Sequence, residues 1–373
     1  MKYYIIAGEA SGDLHGANLI ASIKKKDPRA KIRAWGGDLM KKQGAILAKH
    51  YRDLAFMGFV EVLLHLKTIL KNFSFCKKDI KKFEPDAIIL IDYPGFNIKV
   101  AKFARKLGIK VYYYISPQVW AWKKRRVHTL KKVVDKMLVI LPFEKSFYEE
   151  YDVESHFVGH PLLDELSKVK SISKKLFAKQ NNLDPKKEII ALMPGSRKQE
   201  VSRMMEVMLK VVKMFPDYQF VVGCAPSLPE EYYKELVGDE SVNLVFNKTY
   251  QLLQVSSAAV VTSGTATLET ALFYVPEVVC YKGNAISYHI AKRLIKVKYI
   301  SLVNLIMNKP VVKELIQNDL TAENISVELR SMLSDSKRQR ALLEDYEELR
   351  FLLGNAGASD NAASIIINDM KNQ

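Results

Sequence analysis

Short apolar runs rich in β-branched and aromatic residues recur at Tyr3 to Ala7, Ala87 to Ile91, Val111 to Ile115 and Lys136 to Leu141, with helical periodicity between them. The alternation starts again at Ile189 to Leu192 and continues through Gln219 to Gly223, Val242 to Phe246, Ala258 to Thr262 and Val278 to Tyr281. Strands alternating with helices predict mostly parallel sheets. Each half opens on the same phrase, a strand, a Gly/Ser turn and an amphipathic helix. In the first half Lys2–Ala7 runs into Gly8–Asp13, and in the second Glu188–Leu192 runs into Met193–Arg197. Two doubly wound, Rossmann-like α/β domains are therefore expected. Such sheets bind ligands beyond the carboxyl ends of their strands, so the functional site is expected in a cleft where the two domains face each other.

The Lys-, Ser- and Asn-rich text between Lys168 and Pro185 marks the junction. It separates a first domain over 1–165 from a second over 186–350. From Ala322 the chain reads as helices, interrupted at Gly354–Ser359. The last segment, 351–373, is expected to pack a helix across the domains or onto a partner subunit.

A chain of 373 residues with 48% hydrophobic and 26% charged positions can bury two cores. Its net charge of +16 changes the picture because of where it lies. Residues 1–150 hold 30 Lys and Arg against 14 Asp and Glu, which leaves 27 of each sign for the remainder. An anionic partner of the first domain follows, whether a membrane surface, a nucleic acid or a phosphorylated substrate. Cys76, Cys224 and Cys280 are scattered and odd in number, which fits a reduced cytoplasm and suggests neither a disulfide framework nor a zinc site. No signal peptide is expected, nor any apolar run of roughly 18 residues that would span a bilayer.

The turn Gly8–Asp13 lacks the spacing of the common dinucleotide and phosphate loops. It reads either as a tight turn capped by Ser11 or Asp13, or as a place where a ligand approaches the backbone and Glu9 and Asp13 accept from a sugar. In Pro194-Gly195-Ser196-Arg197, Ser196 and Gln199 have capping-box spacing, and Arg197 stands where an acidic residue would suit the helix dipole better. Capping explains the serine; a diphosphate on the helix N-terminus explains the arginine as well. A second strand-turn-helix start holds Ser263, Gly264 and Thr265, with Glu269 one turn inside, placed to accept from a ribose pair. Two anion-compatible helix starts in one domain fit a nucleotide diphosphate.

Asp92 ends an apolar strand in Ile91-Asp92-Tyr93-Pro94-Gly95. It reads as a general base whose pKa desolvation would raise, or as a turn-starting Asp before Pro. The histidines show no metal-ligand spacing, so metal-independent chemistry without a cofactor is expected. The apolar stretch from Phe56, with Phe59, Val60, Leu63 and Leu66, is too short to span a bilayer, and Lys77 and Lys78 open a basic face just beyond it. A buried helix with a solvated basic neighbour and a membrane-surface helix both fit. Trp120 and Trp122 precede the run Lys123–Arg126, an order that suits an acidic, partly apolar acceptor better than stacked nucleic acid.

Taken in order, Gly8–Asp13, Phe56–Val62, Ser116–Trp122, Leu141–Lys145, Pro194–Arg197, Ser263–Glu269 and Ser301–Leu305 closely resemble the lipid A disaccharide synthase family across essentially the whole chain. The resemblance implies a GT-B fold. It implies an inverting, metal-independent glycosyltransferase that joins UDP-2,3-diacylglucosamine to 2,3-diacylglucosamine 1-phosphate (lipid X), giving the β-1,6-linked disaccharide and UDP. By position it makes Asp92 the base and assigns Gly195, Ser196, Arg197, Ser263, Gly264, Thr265, Glu269 and Asn304 to UDP. It suggests Arg126 for the acceptor phosphate, and from the reading of the residues themselves Glu9, Ser11, Asp13 and Trp120 are expected on the acceptor and Phe59, Val60, Leu63, Leu66, Lys77 and Lys78 at the membrane. The chain departs from the family pattern at Gly95, where relatives often carry an acidic residue, and at Gln118, where Ser is frequent. The expected partners are the two acylated sugars and an anionic inner-membrane surface on the cytoplasmic side, with no nucleic acid and with a homodimer left open. Two rivals are a UDP-N-acetylglucosamine 2-epimerase of the same fold and a basic RNA- or membrane-binding protein.

Overall fold

The computed structural model describes residues 1–54, 66–283 and 297–372. The chain forms two compact units, Met1–Ser167 with Leu353–Gln373, and Lys168–Leu352. In the first unit the strands β1 (Lys2–Ala7), β2 (Lys31–Gly36), β3 (Ile46–His50), β4 (Ala87–Ile91), β5 (Lys110–Tyr114), β6 (Lys136–Val139) and β7 (Ser155–Phe157) form one sheet in the order β3-β2-β1-β4-β5-β6-β7. Its strand pairs are all parallel. In the second unit β8 (Ile189–Met193), β9 (Gln219–Cys224), β10 (Val242–Phe246), β11 (Ser256–Thr262), β12 (Glu277–Tyr281) and β13 (Lys313–Ile316) are ordered β10-β9-β8-β11-β12-β13, again parallel throughout. In each sheet the first strand lies inside and the order reverses beside it, which is the doubly wound arrangement that the sequence pattern predicts.

Central parallel strands are covered by helices on both faces, so they carry continuous rather than alternating apolar runs. Every residue of β4 is buried, as is every residue of β8. In the first unit Tyr3, Ile5, Ala7, Ile89 and Ile91 pack with Ala17 and Ile20 of the helix Ala10–Lys26, and with Ala362, Ala363 and Ile366 of the helix Ala358–Lys371. That last helix belongs to the first unit. Asp164 receives the backbone N–H groups of Gly357, Ala358 and Ser359 at its N-terminus, and Tyr112 and Lys110 bond Asp369 at its far end.

Two local expectations are corrected. The first helix begins at Ala10, so Ser11 and Asp13 lie inside its first turn and cap nothing there; Glu9 is the N-cap residue, without a side-chain bond. In the second unit the helix Lys198–Val212 has Arg197 as its N-cap residue, again with no side-chain cap, so the capping box of Ser196 and Gln199 does not form.

Candidate functional site

At the carboxyl end of β4 the backbone turns through two consecutive left-handed residues, Asp92 (φ 43°) and Tyr93 (φ 49°), before Pro94 opens the helix Pro94–Lys106. Residues with side chains rarely adopt this conformation and hold it only where surroundings over-determine it. Here they do. The Asp92 carbonyl accepts from Tyr113 Oη at 2.7 Å and from Asn97 Nδ2 at 2.7 Å, and the Asp92 N–H donates to Ile115 O at 3.2 Å. The Tyr93 ring stacks on Phe96 at 5.6 Å between centroids and lies over Gly8, where a Cβ would sit 2.5 Å from ring carbon Cγ. Gly8 is thus required by a close approach of side chain to backbone rather than by its own turn. Burial first, and the carboxylate of Glu9 second, push the Asp92 carboxyl from 3.8 up to about 6. A carboxylate so placed is charged at neutral pH and more basic than a solvated one.

Not all acceptor-side candidates of the first unit are available to a ligand. Asp13 is a correction. It is 2% exposed, Oδ1 accepts from the N–H groups of Gly37 (2.7 Å) and Met40 (3.1 Å), and Oδ2 accepts from that of Leu39 (3.1 Å). Its carboxylate holds the start of the short helix Asp38–Lys42 and faces the interior rather than the surface. Trp120 is a second correction. Its indole is 9% exposed, meets Phe143 edge-on at 4.9 Å and donates from Nε1 to Glu144 Oε1 at 3.2 Å. Glu144 also accepts from Ser116 Oγ (2.5 Å) and the N–H groups of Leu141 (3.0 Å) and Ile140 (3.3 Å). Burial raises its carboxyl to about 7 against those four donors. The loop from Ser116 to Trp122 is therefore fastened by Glu144, a member of the Leu141–Lys145 block to which the sequence alone assigns no role. Glu9 remains half-buried, Ser11 is exposed, and Arg126 is half-buried just ahead of the helix Val127–Val133.

Two histidines of the first unit, half-buried His15 and buried His160, are also shifted. Burial lowers His15 to about 4 and His160 to about 3, so both are neutral, and His160 Nδ1 accepts from Leu162 N in capping the helix Pro161–Leu166.

In the second unit the two predicted helix starts both lie at carboxyl strand ends. Gly195 follows β8 at φ 104°, a conformation that favours glycine, and Ser196 and Arg197 are exposed, with Arg197 Nη1 3.2 Å from Glu200 Oε1. After β11, Gly264 and Thr265 are exposed at the start of the helix Thr265–Leu272, and Ser263 Oγ donates to Ile300 O at 3.0 Å. Glu269, whose pKa burial raises, accepts from Tyr250 Oη at 3.2 Å. Asn304 is the third correction. It is 1% exposed; its Nδ2 donates to Val312 O and Glu314 Oε1, and its Oδ1 accepts from Val312 N. Its carboxamide ties the helix Leu302–Met307 to β13, with both Nδ2 hydrogens donated and Oδ1 accepting inside the fold.

Of the residues expected to meet lipid, Phe59, Val60 and Leu63 lie outside the described residues. Leu66 opens the helix Leu66–Phe83. That helix buries Asn72, Cys76, Asp79 and Ile80, and exposes Leu70, Phe75, Lys67, Lys71, Lys78 and Lys82. Lys77 is half-buried, its Nζ 5.0 Å from the Phe73 ring centroid and 5.9 Å from that of Phe103. Arg33 anchors the buried face through a bidentate ion pair, its Nε and Nη2 donating to the two carboxylate oxygens of Asp79 at 2.7 Å each. Among the described residues no helix is long and apolar enough to cross a membrane.

A family model described as lipid-A-disaccharide synthetase matches residues 3–367. The lipid-A-disaccharide synthase of Syntrophus aciditrophicus is 42% identical, over 98% of this chain and 97% of its own. That of Coxiella burnetii (strain CbuG_Q212) is 38% identical, also over 98% of this chain and 97% of its own. Among solved structures, a UDP-GlcNAc 2-epimerase from Neisseria meningitidis bound to UDP-GlcNAc superposes with a TM-score of 0.65 at 14% identity, covering 100% of both chains. A glycotransferase of kitacinnamycin superposes with a TM-score of 0.66 at 13% identity, over 98% of each chain. At these identities the structures establish the fold, that of the GT-B glycosyltransferases and epimerases.

Proposed function

The chain belongs to the lipid-A-disaccharide synthase family, and from that premise we propose that Asp92 is the general base of its glycosyl transfer. The enzyme is a GT-B glycosyltransferase acting on a UDP-sugar and a lipid acceptor; the epimerase and RNA-binding readings are not favoured by that membership. In the reaction the sequence resemblance implies, Asp92 accepts the proton of the 6-hydroxyl of 2,3-diacylglucosamine 1-phosphate as its oxygen attacks the anomeric carbon of UDP-2,3-diacylglucosamine. The bond to the diphosphate breaks on the opposite side, the configuration inverts and UDP leaves. The observation that carries the assignment is the position of Asp92: a half-buried carboxylate raised to about 6, held in a left-handed turn at the carboxyl end of a central parallel strand.

The donor reading rests on the second unit's exposed helix starts. Backbone N–H groups following Gly195, Ser196 and Arg197, and those at Gly264 and Thr265 beside Ser263, would receive the diphosphate as charge develops on the leaving group, with Arg197 adding a forked donor. Glu269 would accept from ribose hydroxyls. On the acceptor side Glu9, Ser11 and Arg126 remain, with Arg126 nearest in chemistry to the sugar phosphate. The exposed Lys67, Lys71, Lys78 and Lys82 on one amphipathic helix support contact with an anionic inner-membrane leaflet from the cytoplasm, from which both acylated sugars are drawn. A homodimer is compatible with this reading and not required by it.

Asp92→Asn is the test. Turnover is expected to fall by roughly 10²- to 10⁴-fold, with UDP affinity unchanged by calorimetry. Wild-type turnover in that variant would remove Asp92 from the mechanism.

A further inference from the structure

Strand β5 ends in three consecutive tyrosines, and a strand sends alternate side chains to opposite faces. Tyr112 Oη donates to Asp369 Oδ2 (2.7 Å) and Tyr114 Oη lies 3.4 Å from Ser359 Oγ, so both tie the sheet to the helix Ala358–Lys371. Tyr113, pointing the other way and fully buried, delivers its hydroxyl to the Asp92 carbonyl. The same carbonyl takes a bond from Asn97 Nδ2, which also reaches Ile91 O at 3.2 Å. The Asp92 N–H is taken by Ile115, a β-branched residue at φ 62° whose own N–H is held by Leu138 O at 3.1 Å. Both backbone groups of Asp92, and so the peptide units on either side of its Cα, are thus fixed from β5 with the residue that follows it and from the helix Pro94–Lys106. These contacts hold the left-handed turn without touching the Asp92 carboxylate.

We infer that Tyr113 and Asn97 are positioning residues for the reaction: by clamping the Asp92 carbonyl they fix the turn that aims its carboxylate at the acceptor hydroxyl. The inference rests on the reading of Asp92 as the base. A base displaced by an ångström or less loses much of its rate advantage while substrate binding persists, so the clamp acts on kcat.

The strand supplies its own control. Tyr113→Phe removes one hydroxyl from the Asp92 turn, and Tyr114→Phe removes the equivalent hydroxyl from the opposite face. Steady-state kinetics with both acylated sugars is expected to show kcat reduced about ten- to a hundredfold in Tyr113→Phe, with both KM values within about twofold of wild type. Tyr114→Phe is expected to keep wild-type kcat. Combining Tyr113→Phe with Asp92→Asn is expected to cost little beyond Asp92→Asn alone, because both changes remove one function. Should Tyr113→Phe fail to fold by its melting curve, Asn97→Ala is read by the same kcat and KM split and the same combination. Wild-type kcat in the folded variant, equal losses in Tyr113→Phe and Tyr114→Phe, or losses fully multiplicative with Asp92→Asn would overturn the inference. If Asp92→Asn itself keeps full turnover, the base reading fails first, and that outcome is distinct from a failed clamp.

Discussion

Asp92 sets function against stability within a single residue. Its carboxyl binds a proton more tightly in the folded chain, at about 6, than in an ordinary exposed setting, at 3.8. Between those values the folded state holds more protons than the unfolded one, so stability falls as pH rises through that window and the loss is complete above pH 6. Asp92→Asn removes the charge that burial penalises, and Asn tolerates the left-handed region well. At pH 8 the variant is therefore expected to melt above wild type while losing activity, and at pH 3.5 the difference is expected to vanish. Circular dichroism melts at the two pH values check it. In wild type the same titration makes kcat/KM fall about tenfold per pH unit below about pH 6 on the acid side. An acid limb that is unchanged in shape down to pH 4.5 would contradict the assignment.

At the scale of elements, Asp13 shows how a motif residue can be legible as important and misread in role. The sequence places it at a turn, where a carboxylate suggests a cap or a sugar contact; only the tertiary fold brings Gly37, Leu39 and Met40 to it. Asp13→Ala leaves three backbone donors unsatisfied or rehydrated, and the loss of this buried charge-assisted set is expected to cost about 2–3 kcal/mol of stability, measurable by urea unfolding. Trp120 and Asn304 behave alike: each lies in a recognisable block, but Glu144 accepts the Trp120 indole N–H and Glu314 and Val312 hold the Asn304 carboxamide, across gaps of 24, 10 and 8 residues. The central strands could be read because burial on both faces makes them continuous apolar runs. Strands β2, β3, β7 and β13 could not, since Lys31-Ile32-Arg33 and Lys313-Glu314 mix charge into short segments and β7 has only three residues. Asp92 and the two helix starts were legible because strand, turn and helix are adjacent in sequence. The Tyr113 and Asn97 clamp was not, since nothing local says which face of β5 meets the turn.

At the scale of the whole molecule, charge is unequally shared, and the surplus lies in the first 150 residues. Attraction to an anionic leaflet is worth about 1 kcal/mol per Lys near the surface. The double change Lys71→Gln with Lys78→Gln is therefore expected to weaken binding to phosphatidylglycerol-containing vesicles by roughly thirtyfold, and wild-type binding is expected to decline steeply with added salt. Co-sedimentation at two ionic strengths measures both.

The placement of the helix Ala358–Lys371 in the first unit has an outcome in time as well as in space. During synthesis the opening 167 residues leave the ribosome with a groove beside Ala17 and Ile20 still bare, and it stays so until some 190 further residues have been made. The segment Lys168–Leu352 can settle as soon as it emerges, whereas the part that began first must wait for its final helix. The nascent chain is thus most prone to stick to its neighbours in the interval before Ala358–Lys371 emerges, with its earliest sheet already built but uncovered.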